Sequence, residues 1–274
     1  MKRALVIALF GLIAGSWAQD VENPRCDVEL LLERTTVAPG EAFWVGVRFR
    51  IEPQWHIYWL NPGDSGIPTT LQWELPPGFA AGPIEWPTPL AFRSSGITSY
   101  GYANDVILLT KITVAADAAI GRSELAANVG WLICKENCMV GSAKVSRRVE
   151  VAEKTGPKGP ESRWLESVAE KLPVSGKVAA GFTEDPTSIS LDFRGVPDPA
   201  EIVSVKFFSQ TSQVIDYSGE QKMTVREGEV QVSIPKSQFF EETPKVLKGV
   251  LYVRWKSGRS AAYAIEAKIP GGYE

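Results

Sequence analysis

Stretches in which apolar and polar residues alternate recur along this chain, and they restrict its fold more than any other feature of the sequence. Residues 41–51, 106–114 and 143–151 each place apolar side chains at every second position. This two-residue period is typical of a strand with one buried face. Glycine and proline total 24 and 19 residues, and many of them lie between the alternating stretches, where turns are expected. Several short strands joined by such turns predict a β-sandwich.

The second half of the chain repeats the pattern. Residues 188–193 and 229–234 alternate, and residues 250–255 and 261–269 flank a glycine-containing turn, as the strands of a hairpin do. We therefore expect a second β-domain here. Because residues 183–270 contain neither cysteine nor histidine, we expect this half to have a structural or partner-binding role.

Between the two halves lies a segment with the composition of a linker. Residues 154–160 contain glycine and proline breaks, and residues 161–172 carry apolar residues at helical spacing up to Pro173. The short helix is expected either to pack between the domains or, as the favoured interpretation, only to cover the core. The predicted fold is all-β, with two β-sandwich domains at residues 19–152 and 183–274 and a helix-containing linker at residues 153–182.

Residues 1–18 have the layout of a secretory signal peptide. Lys2 and Arg3 precede an apolar run that is too short to span the ~30 Å hydrocarbon core of a bilayer. Ser16 and Ala18 supply small residues at the −3 and −1 positions of a cleavage site. We therefore expect cleavage after Ala18 and a soluble exported chain, in a periplasmic or similar compartment where disulfides persist.

Charge and residue counts exclude several functions. The net charge is −3 at pH 7, and no basic run offers the positive surface that nucleic acid requires. Because His56 is the one histidine of the chain, an HExxH zinc protease site is excluded. A serine hydrolase would need His56, yet no GxSxG motif accompanies it. We therefore expect no nucleic-acid partner and no cofactor, and we interpret His56 as structural.

Cys134 and Cys138 are close enough in sequence to form a disulfide if the chain turns between them. Three interpretations remain open. As a structural staple the bond would contribute only about 2 kcal/mol, because the loop it closes is short. As a redox pair it would be tuned by Lys135, which favours the neighbouring thiolate, and by Glu136, which opposes it. As a metal site it would bind a soft ion such as Cu(I) together with Met139.

Two further features leave alternatives open. Cys26 has no obvious mate, so it is either a free thiol or the source of an intermolecular bridge. Nine tryptophans also allow a carbohydrate-binding module, in which exposed indole rings stack on sugars.

Five segments occur in a fixed order along the first half of the chain. They are residues 55–59, 61–66, 82–87, 100–102 and 131–134, the last followed by Cys138. Together they resemble the periplasmic N-terminal region of DsbD-type thiol:disulfide interchange proteins, especially the ScsB-like branch linked to copper tolerance. The resemblance covers residues 28–152 well, and residues 183–270 are more loosely similar to the second β-domain of that branch. It implies that the first sandwich is immunoglobulin-like and carries a redox-active cysteine pair.

The resemblance also implies roles for individual residues. Cys138 is expected to form the mixed disulfide with a partner, and Cys134 is expected to resolve it. A short cap over the pair is expected at Tyr100, Gly101 and Tyr102.

His56 and Trp131 are expected to lie beside this site.

The implied activity is that of a protein-disulfide reductase component. Its implied partners are a membrane electron donor of the DsbD/ScsB transmembrane type and periplasmic thioredoxin-like proteins. The transmembrane segments and thioredoxin-like domain of full-length family members are missing from this sequence, so we expect a separate donor protein. The tighter cysteine spacing and Met139 in place of a proline are expected to alter the redox potential and the choice of partner.

Overall fold

The computed structural model describes residues 25–269, which contain eighteen strands, one α-helix and one 3-10 helix. The expected signal peptide, residues 1–18, lies outside the described residues. Within residues 25–269, no helix is long and apolar enough to cross a membrane.

The first eleven strands form two sheets that face each other. These strands are β1 (Cys26–Leu32), β2 (Thr36–Val37), β3 (Ala42–Ile51), β4 (His56–Gly63), β5 (Thr70–Glu74), β6 (Phe79–Glu85), β7 (Leu90–Ser94), β8 (Ile97–Ala103), β9 (Asp105–Val114), β10 (Gly121–Cys134) and β11 (Cys138–Val151). One sheet has the order β1-β3-β9-β6; the other has the order β2-β11-β10-β4-β8-β7, with β5 also paired to β10. We call these strands together the first sandwich.

The alternating residues of the sequence line the space between the two sheets. Val45, Val47 and Phe49 of β3 are fully buried, and the ring of Phe49 meets that of Trp131 edge-on at 5.9 Å between centroids. Strand β9 is apolar on both faces, because Leu108 points into the sandwich core while Leu109 belongs to a separate cluster on the outer face. The predicted all-β, immunoglobulin-like sandwich is confirmed.

Helix α1 (Ser162–Ala169) covers that outer face. Leu165 is fully buried among Leu31, Ile107 and Leu109. Gly46 leaves room for it, since a β-carbon at Gly46 would lie 2.6 Å from the Leu165 side chain. This packing agrees with the favoured interpretation, a helix that only covers the core, since its apolar face lies on the first sandwich.

The last seven strands form the second sandwich. They are β12 (Ala179–Glu184), β13 (Ser188–Arg194), β14 (Ile202–Ser209), β15 (Lys222–Arg226), β16 (Glu229–Pro235), β17 (Val246–Trp255) and β18 (Ser260–Lys268), with the 3-10 helix Pro199–Glu201 before β14. Their order is β14-β17-β18-β12-β13-β16-β15, and β18 and β12 share a single paired position. The hairpin predicted at residues 250–269 is β17–β18.

This sheet folds over on itself. The rings of Phe193 in β13 and Phe207 in β14 lie 6.4 Å apart, although three strands separate them in the sheet order. Gln221, just before β15, bonds to both the N–H and the C=O of Phe207, at 2.7 and 2.9 Å. The side-chain amide of Gln221 therefore supplies the pairing that the edge of β14 would otherwise lack.

The two sandwiches share a packed contact. Tyr100 of the first sandwich packs edge-on against Phe208 and Tyr217 of the second, with centroids 5.0 and 5.4 Å apart. The amide of Asn61 donates to the carbonyl of Ser209 at 2.8 Å and to the Tyr217 hydroxyl at 3.1 Å. Buried apolar residues thus run without a break from one sandwich to the other.

The packing of α1 predicts a stability effect. Leu165→Ala is expected to lower the free energy of unfolding by about 2–5 kcal/mol, because it leaves a cavity beneath the helix. Ser167→Ala, an exposed change on the same helix, is the matched control and is expected to change stability by less than about 0.5 kcal/mol. Urea unfolding followed by circular dichroism measures both; equal effects from the two variants would contradict this packing.

Candidate functional site

The β10–β11 hairpin presents a disulfide at its tip. Cys134 ends β10, Cys138 begins β11, and the antiparallel register pairs them directly, with Cα atoms 4.2 Å apart. Side chains of directly paired residues project from the same face of a sheet. The strand register therefore brings the two sulfur atoms together, and the structure contains the bond.

The two cysteines differ in exposure. Cys134 is 3% exposed, whereas Cys138 is exposed to solvent. A thiolate attacking this disulfide from solution can approach Cys138, while Cys134 is covered by neighbouring residues. Lys135 and Glu136 occupy the connecting loop and are exposed.

His56 lies on the strand next to the cysteine pair. It is the β4 residue that pairs with Cys134. Its ring stacks on Phe92 at 4.4 Å between centroids and meets Tyr58 edge-on at 5.2 Å. Burial lowers the pKa of His56, so the ring is neutral at pH 7. Its Nε2 atom is buried, and no hydrogen-bond partner for this atom lies among residues 25–269.

Tyr58 contacts the disulfide directly. Its hydroxyl lies 4.0 Å from Cys138 Sγ. The side chain is 3% exposed, and Gly66 packs so closely that a β-carbon there would lie 2.2 Å from the ring. Burial raises the pKa of Tyr58, and a hydrogen bond with Ser99 offsets part of that rise. Tyr58 is therefore an un-ionised hydroxyl beside the exposed sulfur.

Sequence reasoning missed Tyr58 and Phe92. Tyr58 shares a strand face with His56, because residues two apart in a strand point the same way. That spacing was visible in the sequence. Phe92 lies on β7, two strands from β4, and no local pattern indicates that it reaches His56.

The structure places the expected cap elsewhere. Gly101 pairs with Tyr58 in the sheet, so Tyr100 and Tyr102 project from the opposite face. Tyr100 is fully buried against the second sandwich, and the Tyr102 hydroxyl donates to Pro87 O at 2.7 Å. In this structure neither ring covers the cysteine pair, because strand alternation directs both away from it.

Position 101 is occupied by glycine for a separate, structural reason. A β-carbon at this position would lie 2.0 Å from the Ile57 carbonyl oxygen. The absent side chain thus permits the close approach of β8 to β4, the strand that carries His56 and Tyr58.

Trp131 supports the hairpin from the core side. It is 3% exposed and packs on Phe49. Its strand partner Gly141 leaves space for the indole, since a β-carbon there would lie 2.2 Å from the ring. Trp131 therefore anchors the hairpin rather than facing the sulfur atoms.

Met139 does not lie with Cys134 and Cys138 on one face in this structure. Met139 packs against the hydrophobic core, and as the strand neighbour of Cys138 it points to the other face. Among residues 25–269, no group of three or more His, Cys, Asp or Glu residues is arranged to hold a metal ion.

Cys26 is free and buried. Burial, reinforced by the charge of Asp27, raises the pKa of its thiol to about 12. It is thus protonated at neutral pH and shielded from solution, which separates it from the paired cysteines.

The hairpin tip of this sandwich thus presents one exposed and one covered sulfur, the arrangement that thiol–disulfide exchange requires. The family model of the thiol:disulfide interchange protein DsbD, N-terminal, matches residues 27–150. The family resemblance found in the sequence is therefore confirmed over residues 27–150. A search of curated proteins finds no match.

Solved structures support the fold. The N-terminal periplasmic domain of ScsB from Proteus mirabilis matches with a TM-score of 0.65 at 17% identity, over 93% of this chain and 98% of that one. A protein of unknown function from Porphyromonas gingivalis W83 has a TM-score of 0.22 at 12% identity, over 89% and 100%. The Bacillus cereus pilin subunit BcpA has a TM-score of 0.28 at 12% identity, over 89% and 66%. The last two scores are too low to carry an argument.

The burial of Cys26 predicts its reactivity. In the native oxidised protein, iodoacetamide at pH 8 is expected to leave Cys26 unmodified, because its raised pKa keeps the thiol protonated and burial blocks access. Unfolding in urea before labelling is expected to give complete modification of this cysteine. Mass spectrometry of the intact chain follows both reactions. Native labelling at the rate of a small free thiol would contradict the buried position.

Proposed function

We propose that the chain is an exported thiol–disulfide exchange module. It passes reducing equivalents from a membrane electron donor to periplasmic thioredoxin-like proteins through Cys134 and Cys138. The observation that carries this proposal is the asymmetric exposure of the pair at the hairpin tip. An exposed sulfur meets the partner, and a covered sulfur completes the exchange.

The chemistry follows from this asymmetry. In the reduced protein, the Cys138 thiolate attacks a partner disulfide; a mixed disulfide forms, and the partner's leaving sulfur takes up a proton. The Cys134 thiolate then attacks Cys138 Sγ. This step forms the Cys134–Cys138 bond and releases the second partner thiol. Two electrons pass to the partner, and a dithiol of the membrane donor reduces the pair again.

The surroundings of the pair suit this role. His56, Phe92 and Tyr58 form a mostly apolar wall beside the sulfur atoms. Such a wall limits the approach of small oxidants to the Cys134 side while Cys138 stays open to a docking protein.

We further propose an organisation for the whole chain. Residues 19–152 form the exchange domain, residues 153–182 the linker and residues 183–274 a second domain. The second domain holds the first through Phe208 and Tyr217, against which Tyr100 packs. In this proposal Tyr100 connects the exchange domain to its neighbour, and Lys135 and Glu136 meet the partner beside the exposed sulfur.

A trapping experiment tests the function. In Cys134→Ser, the Cys138 thiolate still attacks a partner disulfide, but no resolving thiol remains, so the mixed disulfide accumulates. We expect envelope extracts to yield thioredoxin-like proteins that migrate with the variant on non-reducing gels and separate after reduction. Mass spectrometry identifies them.

The matched control is Cys138→Ser, which keeps the covered cysteine and removes the exposed one. It is expected to trap far less protein, because Cys134 is 3% exposed. Equal trapping by both variants would contradict the assigned order of attack. No trapped partner with Cys134→Ser would contradict the proposed function.

A further inference from the structure

The Tyr58 hydroxyl lies close to the exposed sulfur of the pair. It lies 4.0 Å from Cys138 Sγ. A disulfide sulfur carries no hydrogen, so the phenol is the donor in this contact. In the oxidised state the contact is weak, because the acceptor is a neutral sulfur.

Reduction of the disulfide changes the hydrogen-bond acceptor that faces Tyr58. Breaking the disulfide releases Cys138 Sγ from Cys134 and allows it to become a thiolate. Hydrogen bonds to ionised groups are shorter and about twice as strong as those between neutral groups. The same hydroxyl is then placed to stabilise the form of Cys138 that performs the attack.

Tyr58 is held in position for this contact. Gly66 packs against one side of its ring, and His56 meets it edge-on. The threonine hydroxyl of Thr69 donates to the Tyr58 carbonyl at 3.2 Å. Because the ring is already ordered, a hydrogen bond from its hydroxyl costs little side-chain entropy.

We propose that Tyr58 donates a hydrogen bond to the Cys138 thiolate in the reduced protein and makes this sulfur the attacking one. The inference rests on the proposed function and adds a catalytic residue to it. No proton is transferred from Tyr58: the phenol keeps its hydrogen while the thiolate attacks, and the partner's leaving sulfur takes its proton from solvent.

The other groups around Cys138 do not replace this donor. Lys135 and Glu136 in the hairpin loop carry opposite charges, so their effects on a nearby thiolate oppose each other. His56 on β4 is kept neutral by burial. Tyr58 stays protonated over the range in which thiols titrate, because burial raises its pKa. Its contribution is therefore constant with pH, whereas Cys138 titrates.

The test is the pH profile of Cys138 alkylation in the fully reduced protein. Tyr58→Phe removes only the hydroxyl. We expect the midpoint of the profile to rise by about one pH unit, a tenfold change in the ionisation constant. The midpoint is the readout, because thiolate nucleophilicity rises with pKa and partly offsets the change in rate.

The sequence allows alkylation of Cys138 to be measured separately from alkylation of Cys134. Trypsin cleaves after Lys135, which separates Cys134 from Cys138, so the peptide of residues 136–144 reports Cys138 alone. The matched control is Tyr102→Phe. It removes a buried hydroxyl from the opposite face of the same sheet and is expected to leave the Cys138 midpoint at the wild-type value.

A second variant covers the case in which Tyr58→Phe fails to fold. Ser99→Ala keeps the phenol but removes the hydroxyl that bonds to it. The Ser99 hydroxyl donates its own hydrogen to the Ser65 carbonyl oxygen, so it competes with Cys138 as an acceptor of the phenol hydrogen. Its removal is therefore expected to lower the midpoint by a smaller amount. An unchanged midpoint in a folded Tyr58→Phe, or in Ser99→Ala where that variant alone folds, would overturn the inference.

This experiment needs no partner protein, so its outcome is separate from that of trapping. A raised midpoint without any trapped partner would remove the proposed function and leave the hydrogen bond in place. Trapping with an unchanged midpoint would do the reverse.

Discussion

The register of the β10–β11 hairpin is the constraint on which the site depends. Fourteen residue pairs, from Gly121–Val151 to Cys134–Cys138, hold these strands together. A shift of one residue would send every side chain of a strand to the other face, and the two sulfur atoms would no longer meet. Trp131 fits over Gly141 from the core side, so the packing of one large ring against a position without a side chain fixes the register near the tip.

The sheet that carries the disulfide makes important contacts on both of its faces. On one face, His56 and Tyr58 of β4 lie beside the cysteine pair. From the other face, Tyr100 of β8 packs into the second sandwich. Strands β4 and β8 are paired, with Tyr58 opposite Gly101. The second sandwich therefore contacts β8, and β8 is paired with β4, the strand that lies beside the sulfur atoms. The second sandwich is linked to the site through these two strands.

Much of this fold is predictable from the sequence, because its strands obey the two-residue period. The alternation in residues 41–51 and 143–151 predicts β3 and β11, and the turn at residues 257–260 predicts the last hairpin. The cysteine pair is predictable because the two residues are close in sequence, so a turn between them can bring the sulfur atoms together. The direction of Tyr100 was not, because a strand's face can be assigned only once its partner strand is known. The surface that helix α1 covers cannot be assigned from its sequence, because its apolar side matches two possible surfaces, and only the packing of Leu165 against Leu109 decides between them.

The central claim is that Cys134 and Cys138 form an exchangeable pair rather than a permanent staple. The redox potential of this pair, measured by equilibration with glutathione or dithiothreitol buffers, tests it most directly. The account predicts a potential less negative than about −300 mV, in the range where disulfides exchange with thioredoxin-like proteins. A potential below about −300 mV, typical of structural disulfides that resist reduction, would contradict it.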